Sequence, residues 1–327
     1  MSSYLKENRT LDWHSSVSAE LKLVESVMCR TVASDIHSVQ DVAGGIVNAG
    51  GKRIRPILIL LSSLTCGGSG DSPEIIELAA AIELIHTASL VHDDVVDDAV
   101  QRRGRPTANS TWGSKISVLS GDYMLSKAFA LLARQSKPEI LAVISEVAGV
   151  MSESQVLETE CLGSLELWQT NYWRCIEGKT AAFMSSCCEC GAIFADAGLE
   201  YRMAIREYGL RIGLSFQISD DILDVTGRQS TVGKDLGADI RSGKYTLPLL
   251  LAIESDKSIG TILEDNMVAD KIDSILSSVI CSGAVEKAKL IALEQCHKAS
   301  AALEMFPESE YKQSLLNLAE YIVNRQH

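Results

Sequence analysis

Ile140-Leu141-Ala142-Val143-Ile144-Ser145-Glu146-Val147-Ala148-Gly149-Val150-Met151 decides the fold class. Ile140, Val143, Ile144, Val147 and Met151 recur at i, i+3, i+4, i+7 and i+11, the spacing of one helical face. Strand-like alternation is sustained nowhere, so the chain reads as all-α. Pro56, Pro73, Pro106, Pro138, Pro248 and Pro307 all stand near apparent segment boundaries, and none falls between Pro138 and Pro248, so helices there can be long. Gly67-Gly68-Ser69-Gly70 is the clearest loop, and residues 226–243 form a polar, glycine-punctuated segment that could close over a ligand. No composition shift or low-complexity linker divides the chain. The expectation is one helical domain over 1–327, with an N-terminal helical segment at 1–40, a motif-bearing core at 41–250 and C-terminal helices at 251–327.

Composition narrows the partners. At 327 residues and 46% hydrophobic content the chain can bury a sizeable core. A net charge of -13 argues against nucleic acid and anionic membrane surfaces, and an anionic substrate would need local cations. No run of about 18 apolar residues appears, so no transmembrane helix and no stable membrane insertion are expected. The nine cysteines lack framework spacing and no leader-like segment precedes them, which points to a reducing cytoplasm. Cys187, Cys188 and Cys190 lie in a helical pattern with no second pair, and read as buried thiols rather than metal ligands.

Two copies of one acidic pattern carry the chemistry: Asp93-Asp94-Val95-Val96-Asp97 and Asp220-Asp221-Ile222-Leu223-Asp224. On a helix the first and last carboxylates of each trio share a face about one turn apart, where like charges repel. A hard divalent cation relieves that repulsion. Magnesium takes oxygen ligands and is usually held by one or two carboxylates while substrate phosphates complete its shell. Arg102, Arg103 and Arg105 follow the first trio and Lys234 follows the second, so a metal-bridged diphosphate would become a good leaving group. Gly51-Lys52-Arg53-Ile54-Arg55 suggests a second phosphate pocket made of side chains alone. Two anionic substrates become plausible.

Gly51-Lys52-Arg53-Ile54-Arg55-Pro56, His86-Thr87, Asp93-Asp94-Val95-Val96-Asp97-Asp98 with Arg102-Arg103-Gly104, Gly178-Lys179-Thr180, Phe216-Gln217-Ile218-Ser219-Asp220-Asp221 and Gly233-Lys234-Asp235 together resemble the trans-isoprenyl (polyprenyl) diphosphate synthases. The likeness runs in order over residues 42–248, with Leu318-Ala319-Glu320-Tyr321 and Arg325 also similar; the first 40 residues and roughly 250–310 match loosely. It implies a helical bundle of the isoprenoid synthase type with a central cavity. The implied reaction is a prenyl transfer: an allylic diphosphate ionises, the double bond of isopentenyl diphosphate attacks the cation, and proton loss leaves a longer trans chain.

By this resemblance Asp93, Asp94, Asp97, Asp220, Asp221 and Asp224 would hold magnesium, about three ions with substrate bound. Asp98 would extend the first motif. Arg102, Lys179, Lys234 and Lys244 would clamp the allylic diphosphate, with Thr180 and Gln217 lining the reacting centre. Lys52, Arg55, His86 and Arg103 would bind isopentenyl diphosphate. Asp98 and Arg105 read equally as surface charges or as parts of the site, and Arg53 reads more naturally as a surface charge. Thr180 and Gln217 also admit a purely local hydrogen-bonding role.

Chain length is read from the helix ahead of Asp93. Ser89 and Ala88 stand about 6 to 7.5 Å before it along the axis; the resemblance implies that the growing chain passes beside this helix, so their small size would leave room for a product of roughly six to ten isoprene units. Ile85, Leu84 and Ala81 could form a deeper floor. A short-chain product, farnesyl or geranylgeranyl diphosphate, is the alternative. Glu153-Ser154-Gln155-Val156-Leu157-Glu158 departs from the Glu-Gly-Glu-x-x-Gln of many relatives, with acid and amide exchanged. The family's habit implies a homodimer, and some long-chain members use a small regulatory subunit. A class I terpene cyclase fits less well, because its second metal motif mixes in Ser, Thr and Glu. A non-catalytic subunit would have lost aspartates that this chain keeps.

Overall fold

The computed structural model describes residues 13–102, 104–227, 236–263 and 268–324. Twelve main helices follow the order α1 (Ser18–Thr31), α2 (Ile54–Thr65), α3 (Pro73–Val96), α4 (Ser114–Leu132), α5 (Pro138–Cys161), α6 (Leu165–Ile176), α7 (Ala182–Phe194), α8 (Leu199–Thr226), α9 (Leu247–Ser255), α10 (Val268–Cys281), α11 (Ala284–Ala302) and α12 (Glu310–Asn324). Among the described residues the one sheet is a hairpin of two-residue strands, β1 (Gln101–Arg102) and β2 (Arg105–Pro106), which the helical reading did not foresee.

Local chemistry accounts for the helix ends. Ser72 accepts a hydrogen bond from the Ile75 N–H, Pro73 occupies the first turn and Glu74 follows, so α3 starts with a cap, a fixed φ and a favourable charge. Ser164 caps α6 in the same way through the Leu167 N–H. Pro138 opens α5 and Pro248 lies in the first turn of α9, as the boundary reading expects. Ile140, Ile144 and Val147 of the founding pattern are buried in α5.

The chain groups into two compact units. One comprises residues 16–145 and 187–203. In it α3 packs against α4, α1 and α2. α7 meets α2 at Gly191, where a Cβ would come within 2.5 Å of the Ile59 carbonyl oxygen. Cys187, Cys188 and Cys190 are buried helical thiols, as the sequence reading has them. The other unit comprises residues 1–15, 146–186 and 204–327. Its core joins Trp168, Tyr172, Leu214, Ile218, Leu249, Ile275 and Val279, with α9, α10, α11 and α12 packed on one another.

Two helices, α3 and α5, are long and apolar enough to cross a membrane, which a search for unbroken apolar runs passes over. The apolar stretch of α3 is 72% buried and serves as core, whereas that of α5 is only 22% buried. Leu141, Val150 and Val156 of α5 are exposed.

Gly213 lets α8 approach the Glu177–Ala181 turn so closely that a Cβ there would sit 2.4 Å from the Ala181 Cα. Backbone cannot give way as a side-chain tip can. Gly213→Ala is expected to destabilise the chain by about 1–3 kcal/mol in thermal or denaturant unfolding, while Gly45→Ala, with nothing within 4 Å of its Cβ, serves as the neutral comparison.

Candidate active site

Helix α3 sorts its residues by face. His86, Ser89, Leu90, Asp93 and Asp97 stand at i, i+3, i+4, i+7 and i+11 and are half-buried or exposed, whereas Leu84, Ile85, Thr87, Ala88, Val91 and Asp94 are buried. The open stripe therefore carries the histidine and two of the three aspartates. Ser89 lies on it, with its hydroxyl donating to the His86 carbonyl at 2.8 Å. Ala88, paired with Ser89 in the sequence reading, is fully buried away from the stripe.

The end of α3 explains the behaviour of Asp94. Asp97 terminates the helix, Asp98 turns the chain through a left-handed backbone at φ 48°, and Gly104 at φ 72° closes the β1–β2 hairpin. That reversal brings Arg102 back onto α3, where its Nε donates to Asp94 Oδ1 at 2.8 Å. Asp94 is 3% exposed, so the arginine neutralises a carboxylate that would otherwise be buried as a bare charge. Asp98 and Arg105, for which surface and site readings stood level, are exposed. Arg103 lies outside the described residues.

The Gly51-Lys52-Arg53-Ile54-Arg55 cluster lies at the start of α2, in the same compact unit as α3. Lys52 is exposed and Arg55 half-buried. Burial holds the Arg55 guanidinium below its ordinary pKa, opposed by the Glu83 carboxylate and by Cys187, and an arginine stays protonated through such a shift. Arg53 corrects the sequence reading. Expected at the surface, it is 8% exposed and donates from Nη1 to Glu83 at 3.1 Å and from Nη2 to the Val47 carbonyl at 2.8 Å.

In the other unit, the second trio sits on α8. Asp220 and Asp224 are half-buried, and Asp221 is buried. A hydrogen-bonded chain runs from the Thr180 hydroxyl to the Gln217 Oε1 at 2.9 Å and from Gln217 Nε2 to Asp221 Oδ1 at 3.1 Å. The Tyr172 hydroxyl completes it, donating to Asp221 Oδ2 at 2.6 Å. Asp224 accepts from the backbone N–H groups of Ala238 and Asp239. Thr180 and Lys179 lie in the π-helical turn Glu177–Ala181 between α6 and α7, a local irregularity that aims both side chains where a regular helix would not.

Lys179 and Lys244 converge on one carboxylate. Each Nζ meets Glu158 Oε1, at 2.7 and 2.8 Å. Lys244 follows Gly243, whose carbonyl accepts from the Trp168 indole and from the Gly163 N–H, so its loop is pinned to α6. Burial by itself would raise the Glu158 pKa, but the two ammonium groups and their hydrogen bonds outweigh it and hold the carboxyl below its usual value. Lys234 lies outside the described residues, as do residues 228–235 of the segment expected to close and the C-terminal Arg325.

Glu158, Tyr172 and Glu83 were missed by sequence reasoning. Glu158 left a trace, since it ends the Glu153–Glu158 stretch in which the sequence reading marked acid and amide as exchanged. Tyr172 left none. Its role depends on the packing of α6 against α8.

The acid groups suit a hard cation. Asp93 and Asp97 offer oxygen donors one turn apart on the open stripe, fitting a magnesium held by one or two carboxylates with phosphate oxygens completing its shell. Among the described residues no three His, Cys, Asp or Glu side chains converge, so an ion at either trio needs ligands beyond them.

Residues 37–279 match the family described as Polyprenyl synthetase. The chain is 34% identical over 307 residues to octaprenyl diphosphate synthase of Escherichia coli (strain K12), covering 92% of this chain and 94% of that protein. It is 31% identical over 314 residues to heptaprenyl diphosphate synthase component 2 of Bacillus subtilis (strain 168), covering 95% of this chain and 90% of the relative. Among solved structures, polyprenyl synthase from Caulobacter crescentus CB15, complexed with calcium and isoprenyl diphosphate, superposes with a TM-score of 0.90 at 34% identity. The match covers 97% of this chain and 98% of that one.

Burial pushes the Asp221 carboxyl up to about 7; hydrogen bonds from Tyr172 and Gln217 oppose the rise, and Asp220 and Asp224 add to it. The folded chain keeps this proton where the unfolded chain has lost it. The resulting stability is complete below the ordinary carboxylate range and is lost as pH rises through about 7. In EDTA, Asp221→Asn is therefore expected to gain in Tm relative to the unsubstituted chain between about pH 5 and about pH 8. A difference that stays level across that range would remove Asp221 as the titrating group.

Proposed function

Because the chain belongs to the polyprenyl synthetase family, we infer that it is a trans-polyprenyl diphosphate synthase, a prenyltransferase adding isopentenyl diphosphate stepwise to an allylic diphosphate. The observation that carries the site assignment is the open stripe of α3, which gathers His86, Ser89, Asp93 and Asp97 on one face.

The two substrates call on separate cationic sets. Lys52, Arg55 and His86, with Arg103, bind isopentenyl diphosphate through charge-assisted hydrogen bonds. Arg102, Lys179 and Lys244, with Lys234, bind the allylic diphosphate. Asp93, Asp94, Asp97, Asp220, Asp221 and Asp224 would hold magnesium, about three ions with substrate bound, which would supply charge neutralisation to the departing diphosphate. The calcium and isoprenyl diphosphate in the Caulobacter crescentus relative are consistent with both classes of ligand.

The allylic carbon–oxygen bond breaks with its electron pair leaving on diphosphate, where Arg102, Lys179 and Lys244 meet the growing negative charge. Thr180 and Gln217 present neutral dipoles to the allylic cation. The Thr180–Gln217–Asp221 hydrogen-bonded chain supports this role by fixing the amide. The double bond of isopentenyl diphosphate then gives its pair to the cation, a carbon–carbon bond forms, and a proton leaves the adjacent carbon. Binding substrate exchanges internal pairs for external ones: Arg102 leaves Asp94, and Lys179 and Lys244 leave Glu158.

The product is long, roughly six to ten isoprene units, because Ser89 is a small residue on the open stripe one turn ahead of Asp93. Long-chain names among the relatives agree with this. Exposed Leu141, Val150 and Val156 on α5 support a homodimer. A second reading, a catalytic subunit that needs a small partner, is favoured by the relative designated component 2. The free state of all nine cysteines fits a reducing, cytoplasmic setting.

Purified chain, magnesium, labelled isopentenyl diphosphate and farnesyl diphosphate should yield a ladder ending at roughly thirty to fifty carbons, given the open helix face one turn before Asp93. No elongation by the chain alone, restored by a co-purifying protein, would establish the partner-dependent reading. Asp93→Ala or Asp220→Ala should lower turnover by about 10²-fold or more, and unchanged turnover would refute the acidic trios. Ser89→Phe should cap the product at about twenty carbons by placing an aromatic floor on the stripe. An unaltered ladder from that variant would move the length determinant elsewhere.

A further inference from the structure

Arg53 stands in an unusual backbone position for its type. It precedes the first turn of α2 with φ 48° and ψ 35°, in the left-handed region. A residue with a Cβ is disfavoured there, so the surroundings have to impose it. They do so through the guanidinium. Nη1 donates to Glu83 Oε1 on α3 at 3.1 Å, Nη2 to the Val47 carbonyl at 2.8 Å, and Nε reaches Glu25 Oε1 on α1 at 3.4 Å. Three separate stretches of chain meet at one planar group. Lysine has no fork that could replace it.

The location gives this anchor its meaning. Lys52 precedes Arg53 and Arg55 follows two residues later, so the turn that Arg53 locks sets the direction of both cations. Glu83 lies one turn before His86 on α3, about 4.5 Å along the axis. It is 5% exposed, and its charge acts on Arg55 as well as pairing with Arg53. One buried carboxylate thus ties the Lys52–Arg55 turn to the helix that carries His86.

We propose that Arg53 is a positioning residue for isopentenyl diphosphate: its buried fork to Glu83 and the Val47 carbonyl fixes the left-handed turn that presents Lys52 and Arg55 to the substrate alongside His86. The proposal rests on reading Lys52, Arg55 and His86 as the isopentenyl diphosphate pocket. Arg53 itself does not touch the substrate. Its loss shows in affinity for one substrate and leaves the ionisation of the other unaffected.

Steady-state kinetics with both substrates varied separately tests this. Arg53→Lys keeps charge and length but loses the fork, and should raise KM for isopentenyl diphosphate by about tenfold, the equivalent of about 1.4 kcal/mol. KM for the allylic diphosphate and kcat should stay within about twofold. Arg53→Asn accepts the left-handed backbone without the fork. It should match or exceed the effect of Arg53→Lys, which separates the side chain from the turn. Arg53→Lys combined with Glu83→Gln should be no worse than the worse single variant, since both break the same link. A lowered Tm with an unchanged KM for isopentenyl diphosphate would overturn the proposal and leave the pair a purely structural contact. Lys52→Ala is the control for the pocket. If it leaves that KM unchanged, the pocket reading fails; if it raises that KM while Arg53→Lys does not, the positioning role alone fails. Should Arg53→Asn not fold, Arg53→Lys decides the question.

Discussion

A carboxylate buried in a helical core has to be met by a cation or an aligned dipole, and that requirement organises this protein. Glu83, Asp94, Glu158, Glu189 and Asp221 are the buried carboxylates among the described residues. Arg53, Arg102, Lys179 with Lys244, Arg202, and Tyr172 with Gln217 meet them in turn. Removing the cation from a buried ion pair is destabilising, because the carboxylate is left charged in a poorly polarisable surrounding. Four of these five carboxylates bind residues of the motif-bearing segments. The same constraint that keeps these carboxylates in the core also holds Arg53, Arg102, Lys179 and Lys244 at fixed positions.

This arrangement accounts for a chain of net charge -13 that handles diphosphates. Long-range attraction is unfavourable, so recognition has to come from cations held at short range. Lys179 and Lys244 share one oxygen of Glu158, and Arg102 holds Asp94 from across the β1–β2 hairpin. Each contact is close and directional. Each is also of the kind that a phosphate oxygen can replace with comparable geometry.

Much of this was legible in the sequence. The helical class followed from the spacing of Ile140, Val143, Ile144, Val147 and Met151, of which Ile140, Ile144 and Val147 are buried and Val143 and Met151 half-buried. His86, Ser89, Asp93 and Asp97 fell on one face of α3 because three- and four-residue spacing maps directly onto a helix. Arg53 was misread because charge alone argues for solvent, whereas its burial depends on Glu83, thirty residues away in sequence and 3.1 Å away in space. Ala88 and Ser89 were read as equivalent, yet one is buried and the other half-buried on the open stripe, since one residue turns a helix by about 100°.

The sequence by itself determined the helices, their ends and the chemical kinds of group at the site, because periodicity, capping and residue type act over a few neighbouring positions. Only tertiary structure decided which acid meets which base. Tyr172 reaches Asp221 because α6 packs on α8, and Glu158 joins two lysines contributed by the Glu177–Ala181 turn and the loop after Gly243. Such pairings depend on distances across the packed interior, which side-chain burial and close backbone contacts such as Gly213 on Ala181 fix to within tenths of an ångström.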